Sequence, residues 1–156
     1  MFALEFSALV GEDDALDFIV TTCLEARIKS GTDVCLSLEL FIEGTYKKYN
    51  NNAGWVYDDD PDNPINQSAQ AFSHFTFERS WGRFLVCHLQ GVDRLLTDPS
   101  IHTKDPLRFQ HSDANMGVEG FKFFFATHKC NAICRRLELK STGLMLVSGQ
   151  FAFREW

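Results

Sequence analysis

Cys130 and Cys134 lie four residues apart in a stretch of helical periodicity, with His128 just ahead of them, and no other feature limits the fold so sharply. Residues at i and i+4 share one helix face, so the two sulfurs project together. Thiolate and imidazole are the ligands of structural zinc, which takes four N or S donors in a tetrahedron, so a fourth donor must come from elsewhere in the chain. Two residues subtend about 200° on an ideal helix, and His128 can join Cys130 only from a bend or a first turn. A metal held this way is structural and non-catalytic, and contributes on the order of 10 kcal/mol of folding free energy. On local sequence alone, a reduced cysteine pair packed in an apolar helix beside a surface histidine accounts for the same residues.

The 156 residues are 45% hydrophobic, enough for one ordinary core and too few for two. Lys and Arg number 15 against 21 Asp and Glu, a net charge of −6, so no basic field is available to hold nucleic acid. Apolar runs such as 123–127 fall far short of the roughly 20 residues a bilayer requires, and the N-terminus lacks the basic and apolar regions of a signal peptide. A cytoplasmic chain with neither nucleic acid nor membrane as partner is expected. Cys23, Cys35 and Cys87 stand among Leu, Val and Phe and are expected to be buried, reduced thiols. The acidic run 58–64 carries two prolines and is expected to be a solvated loop without chemistry.

Apolar residues at three- and four-residue spacing (Leu16, Ile19, Cys23, Leu24, Ile28) behind acidic residues predict a helix over 13–28. The β-branched run 34–42 and the segment 46–49 predict strands, closed by Gly44 and by the Asn50-Asn51-Asn52-Ala53-Gly54 turn. Residues 71–78 and 83–91 have strand character, with a helix the alternative for the first. Thr97-Asp98-Pro99 predicts a turn, 109–120 a polar loop, and 118–139 one long helix.

Read together, these punctuation points form an ordered set. They are Glu39-x4-Gly44, Lys48-Tyr49-Asn50-Asn51-Asn52-Ala53-Gly54, Ala71-Phe72-Ser73-His74-Phe75-Thr76, Leu89-Gln90-Gly91-Val92, Leu96-Thr97-Asp98-Pro99, and Phe124-Phe125-x2-His128-x-Cys130-Asn131-x2-Cys134. Their order and spacing closely resemble the α-kinase family of atypical protein kinases, over about residues 34–139. The resemblance implies an α+β, kinase-like fold, with 34–140 as the C-terminal catalytic lobe closed by a zinc-stabilised helical end. Residues 1–33 would be a helical remnant of the N-terminal lobe and 141–156 a divergent tail. It implies His74 as the fourth ligand of Zn²⁺ beside His128, Cys130 and Cys134. It also implies γ-phosphoryl transfer from ATP to Ser or Thr of a protein substrate, in which positioning and charge neutralisation by Mg²⁺ do most of the work. Gln90 and Asp98 would be the oxygen ligands of Mg²⁺, Glu39 would lie beside the adenine, and Lys48 and Asn52 near the phosphates. Asp113-Ala114-Asn115-Met116-Gly117-x2-Gly120 resembles the family's glycine-rich loop.

Two departures bear on activity. The family carries Asp immediately before Leu-Gln-Gly, where it is the base or orienter for the substrate hydroxyl, and this chain has His88. An imidazole there replaces a fixed negative charge by a group that titrates near pH 6.5. The phosphate-contacting lysine of the N-terminal lobe also has no counterpart, since neither Arg27 nor Lys29 stands in a suitable strand. The expected function is therefore a truncated, weak or inactive α-type protein kinase, with His88 and Asp98 at its catalytic centre. The alternative is a zinc-stabilised pseudokinase that binds a protein partner. Apolar surface left by a missing lobe would favour self-association or another chain.

Overall fold

The computed structural model describes residues 1–57, 60, 62–105, 107–109, 112 and 114–140; Asp113 and the expected tail at 141–156 lie outside them. Helix α1 (Phe2–Val10) precedes four strands, β1 (Asp17–Phe18), β2 (Thr22–Arg27), β3 (Asp33–Leu38) and β4 (Tyr46–Lys48). Helix α2 (Pro64–Arg79) follows, then β5 (Phe84–Cys87), β6 (Gln90–Val92), β7 (Leu95–Thr97) and β8 (Ser100–Thr103), and finally α3 (Gly117–Thr127) and α4 (Ala132–Arg136). Strands β1-β7-β6-β4 form one sheet, β5 pairs with β8, and β2 pairs with β3 in a separate hairpin. Among the described residues no helix is long and apolar enough to cross a membrane.

Helix α2 is the axis of the molecule. Asn63 caps it, its side chain accepting from the Ile65 and Asn66 amides at 3.0 and 3.2 Å, and Pro64 supplies a first-turn residue with no N–H to satisfy. Every residue from Ser68 to Glu78 is buried, because other elements pack around it on all sides. Phe72 and Phe75 meet Phe6 of α1 edge-on, with ring centroids 5.3 and 5.5 Å apart. On another side Phe77 meets Phe121 and Phe125 of α3 at 5.1 and 4.8 Å.

Several sequence expectations are corrected here. Residues 71–78 are helix and not strand, because a helix buried all round loses the polar stripe by which helical periodicity is recognised. The expected helix over 13–28, and with it the helical reading of 1–33, gives way to β1 and β2 after α1. The β2–β3 pairing, in register from Thr22 with Leu38 to Arg27 with Asp33, overrides the local helical spacing. The single helix over 118–139 is two helices, broken where His128 turns to an extended conformation at φ −63°, ψ 127°. Cys23 and Cys35 are exposed on the hairpin and bonded to one another, not buried free thiols, whereas Cys87 is buried as expected. The hairpin turns Leu24, Leu36 and Leu38 to solvent, and the exposed Leu40 and Phe41 follow it.

Candidate functional site

Two groups of side chains carry chemistry. The first gathers on α2 and the α3–α4 junction. His74 Nδ1 lies 3.2 Å from His128 Nε2, Cys130 Sγ 3.8 Å from His74 Nδ1, and Cys134 Sγ 3.7 Å from His128 Nε2. All four ligand atoms fall within 4.8 Å of one another. A tetrahedron with zinc–nitrogen and zinc–sulfur bonds of ordinary length has N···N edges of about 3.4 Å and N···S edges of about 3.6 Å, so the donors already sit near the corners of one. The break at His128 resolves the helical-angle difficulty: His128 caps α3, and Asn131 caps α4 by accepting from the Ile133 and Cys134 amides. Hydrogen bonds from Cys134, His128 and His74 lower the Cys130 pKa, while the hydrogen bond to Cys130, together with burial, raises that of Cys134. Buried His128 Nδ1 has no hydrogen-bond partner among the described residues. Such a cluster, converging thiols and imidazoles on one point, can hold a metal ion.

A carboxylate that sequence reading missed stands behind this group. Glu78 Oε1 is 3.3 Å from His74 Nε2, within ion-pair range though off-line for a hydrogen bond, and it accepts from the Lys140 amide. Carboxylates of this kind orient ligating imidazoles. The signal was His74-x3-Glu78, legible only once the segment is read as helix.

The second group arises from strand register. Lys48 pairs with Gln90, and Gln90 with Thr97, so β4, β6 and β7 put three side chains in one row about 4.8 Å apart per strand. His88 precedes that row and Asp98 follows it, at turns where both adopt left-handed backbone, φ 59° and 44°. Non-glycine residues held there cost of order 1–3 kcal/mol and concentrate at functional sites. Lys48 Nζ lies 3.0 Å from His88 Nε2. An ammonium only donates, so Nε2 accepts and the proton sits on Nδ1. Burial lowers the His88 pKa and Lys48 lowers it further, with Asp98 and Gln90 pulling the other way, so the imidazole is neutral at pH 7.

Asn52 lies in the turn that follows β4. Its side-chain amide donates to the Ala114 carbonyl at 3.4 Å, and its own carbonyl faces His102 Nε2 at 2.9 Å. His102 Nδ1 in turn accepts from the Met116 amide at 3.0 Å, so a buried histidine that sequence reading passed over fixes the 114–117 turn to the Asn52 loop. A second unnoticed anchor is Asn50. It is fully buried, accepts from the Leu89 amide at 3.0 Å, and donates to Gln70 and Ser73, setting the chain on either side of Lys48 and His88. Glu39 stands apart from the row: its carboxylate accepts from Thr21 Oγ1 at 2.5 Å, at the base of the β2–β3 hairpin.

Comparison with known proteins bears on the family of the chain. The model of the Alpha-kinase family matches residues 1–134, beginning well before the motifs that carry the resemblance. The chain is 42% identical over 126 residues to myosin heavy chain kinase B of Dictyostelium discoideum, covering 81% of this chain and 16% of that protein. Against human eukaryotic elongation factor 2 kinase it is 44% identical over 124 residues, covering 80% of this chain and 16% of the relative. The crystal structure of the α-kinase domain of myosin heavy chain kinase A in complex with ADP superposes with a TM-score of 0.79 at 35% identity, covering 90% of this chain and 54% of that one. The chain thus spans about half of that solved domain and a small part of the full-length relatives. With its fold, its ordered motifs and these likenesses in agreement, the chain belongs to the α-kinase family.

Proposed function

We propose that this chain is an α-type protein serine/threonine kinase domain that binds Mg-ATP and transfers its γ-phosphoryl group weakly, stabilised by a structural zinc. The observation that carries this reading is that strand register sets Lys48 beside Gln90, with Lys48 Nζ on His88 and Asp98 within electrostatic reach of that imidazole. Gln90 and Asp98 offer the oxygen donors that Mg²⁺ prefers, and Mg²⁺ there would neutralise charge developing on the phosphates. Lys48 and Asn52 would face the phosphates, and Glu39 the adenine. His88 Nε2 can accept the proton of a substrate hydroxyl only after Lys48 turns away from it, so the imidazole starts as a blocked base. That blockage supports a low rate. His74, His128, Cys130 and Cys134 would hold the zinc, with Glu78 orienting His74. Residues 34–140 act in this reading as the catalytic C-terminal lobe, and 1–33 as part of the N-terminal lobe.

A second reading, a zinc-stabilised pseudokinase that serves as a protein-interaction module, is favoured by the same Lys48–His88 contact. Binding of a fluorescent ATP analogue separates the two. The kinase reading expects Mg²⁺-dependent binding that weakens at least about tenfold, or 1.4 kcal/mol, in Asp98→Ala and in Gln90→Ala. Binding that ignores both Mg²⁺ and these substitutions would remove the kinase reading and leave the module.

A further inference from the structure

The β2–β3 hairpin carries a chemistry that neither proposed site uses. Alternation along β2 and β3 puts Thr21, Cys23, Glu25 and Arg27 on one face with Asp33, Cys35, Ser37 and Glu39. Three cross-strand ties lie along that face. Arg27 pairs with Asp33 at the turn end, Cys23 is bonded to Cys35 in the middle, and Thr21 donates to Glu39 at the base. Cys23 is in register with Ser37 and Cys35 with Glu25, so the two cysteines are diagonal neighbours, their Cα atoms 6.6 Å apart. That separation lies within the range a disulfide spans.

The other three cysteines contrast with this pair. Burial pushes the Cys87 thiol up to about 12, which leaves it inert. Cys130 and Cys134 belong to the metal-ligand cluster. Cys23 and Cys35 are both exposed, on strands whose residues are nearly all exposed, so a small reagent reaches either sulfur without unfolding the core. Among the described residues β2 and β3 pair only with each other, so the hairpin has little strand pairing to the body of the molecule. An isolated two-stranded hairpin is marginally stable in water, so a covalent tie has a large effect on its order.

We propose that Cys23 and Cys35 form a thiol–disulfide exchange site for small disulfides of the glutathione class, and that closing it fixes the hairpin on which Glu39 sits. In the forward step one cysteine thiolate attacks a sulfur of the small disulfide, a mixed disulfide forms, and one small thiolate leaves and takes up a proton. The second cysteine thiolate then attacks the protein-bound sulfur and expels the other small thiolate. Two protein thiols are oxidised, one small disulfide is reduced to two thiols, and two electrons pass between them. The bridge lies two residues from Thr21 on β2 and four from Glu39 along β3, so its closure holds the register in which those two meet. The consequence for nucleotide binding rests on the role proposed above for Glu39, whereas the exchange chemistry stands without it.

The test equilibrates the whole chain in graded mixtures of oxidised and reduced glutathione, traps free thiols by alkylation, and weighs the peptides containing Cys23 and Cys35. The proposal expects these peptides to become linked, with a loss of about 2 Da, reversibly on return to reducing mixtures. Full alkylation of both at every ratio, or arrest at the glutathione adduct, would overturn it. Amide hydrogen exchange over residues 22–38 should slow at least about tenfold on oxidation of the wild type and stay unchanged in Cys35→Ser. Equal exchange in oxidised and reduced wild type would contradict the fixing of the hairpin. Finally, the oxidised chain should bind the ATP analogue roughly threefold or more tightly than the reduced one. Equal binding in the two states overturns the link to Glu39 alone. Absence of binding in both states overturns that link together with the kinase reading, while the mass and exchange results still decide the clasp.

Discussion

His88 and His102 are two buried or half-buried imidazoles kept neutral by opposite means. His88 faces an ammonium, whereas His102 is fixed by a carbonyl on one nitrogen and a backbone amide on the other. Burial lowers the His102 pKa, and its bond to Asn52 only partly offsets this. The unfolded chain, with an ordinary histidine near 6.5, therefore binds more protons than the folded one just below that pH. Stability from His102 is complete above pH 6.5 and is lost as pH falls toward its folded pKa. The destabilisation caused by His102→Gln, read from urea midpoints, should accordingly be smaller at pH 5 than at pH 7.5. A penalty of equal size at both pH values would contradict this assignment. His102 carried no motif and no periodicity, so its role was invisible in the sequence; it depends on Asn52 and Met116, which are distant along the chain. Gln90 and Asp98 were singled out only through the ordered motifs of the family resemblance; locally they read as a polar strand residue and a turn-initiating Asp before Pro99.

Legibility followed residue type and turn punctuation more than burial: the buried β5 falls within the expected strand 83–91, whereas the exposed β2 was read as helix. Strands β3 and β4 came through as β-branched or aromatic runs bounded by turn residues, and the Asp98 turn through its proline. Helix α2 did not, because its Ser, His, Thr and Glu residues are buried, with Ser73 bonded by Asn50, and Thr76 by the Val86 amide and the Ser73 carbonyl, so no polar stripe marks a solvent face. The β2 segment failed for the converse reason, since a chance helical spacing yielded to the pairing offered by β3. A sharper constraint sits in β6. A Cβ added to Gly91 would lie 2.8 Å from Leu96 Cα and would strike the Leu95 carbonyl, both backbone groups of β7 that have no room to retreat. Gly91→Ala should force β6 and β7 apart, cost about 1–3 kcal/mol in urea denaturation, and weaken nucleotide binding because Gln90 moves with the strand. Unchanged stability would mean that β7 moves freely, contrary to the packing described.

At the scale of the whole molecule, the His–Cys cluster joins α2, the axis of the core, to the α3–α4 junction. Metal binding to such a cluster is coupled to folding. Chelation should lower the thermal midpoint by more than about 15 °C, given a loss of order 10 kcal/mol and roughly 2–4 °C per kcal/mol for a chain of this size. Cys134→Ser should abolish the response to added zinc. An unaltered midpoint under chelation would reduce the cluster to a packed thiol–imidazole group. The grouping of His74, His128, Cys130 and Cys134 and the Asp98 turn were readable in advance, while Glu78, Asn50 and His102, which hold the neighbouring groups in place, were not. The most direct measurement is transfer of labelled phosphate from Mg-ATP to a Thr-containing basic peptide and to the chain itself, on zinc-loaded protein, comparing wild type, Asp98→Ala and His88→Asp. The account predicts slow transfer by the wild type, none by Asp98→Ala, and transfer raised at least about tenfold by His88→Asp, which restores a fixed negative charge beside Lys48. No transfer by folded, zinc-containing wild type and His88→Asp alike would contradict the kinase reading.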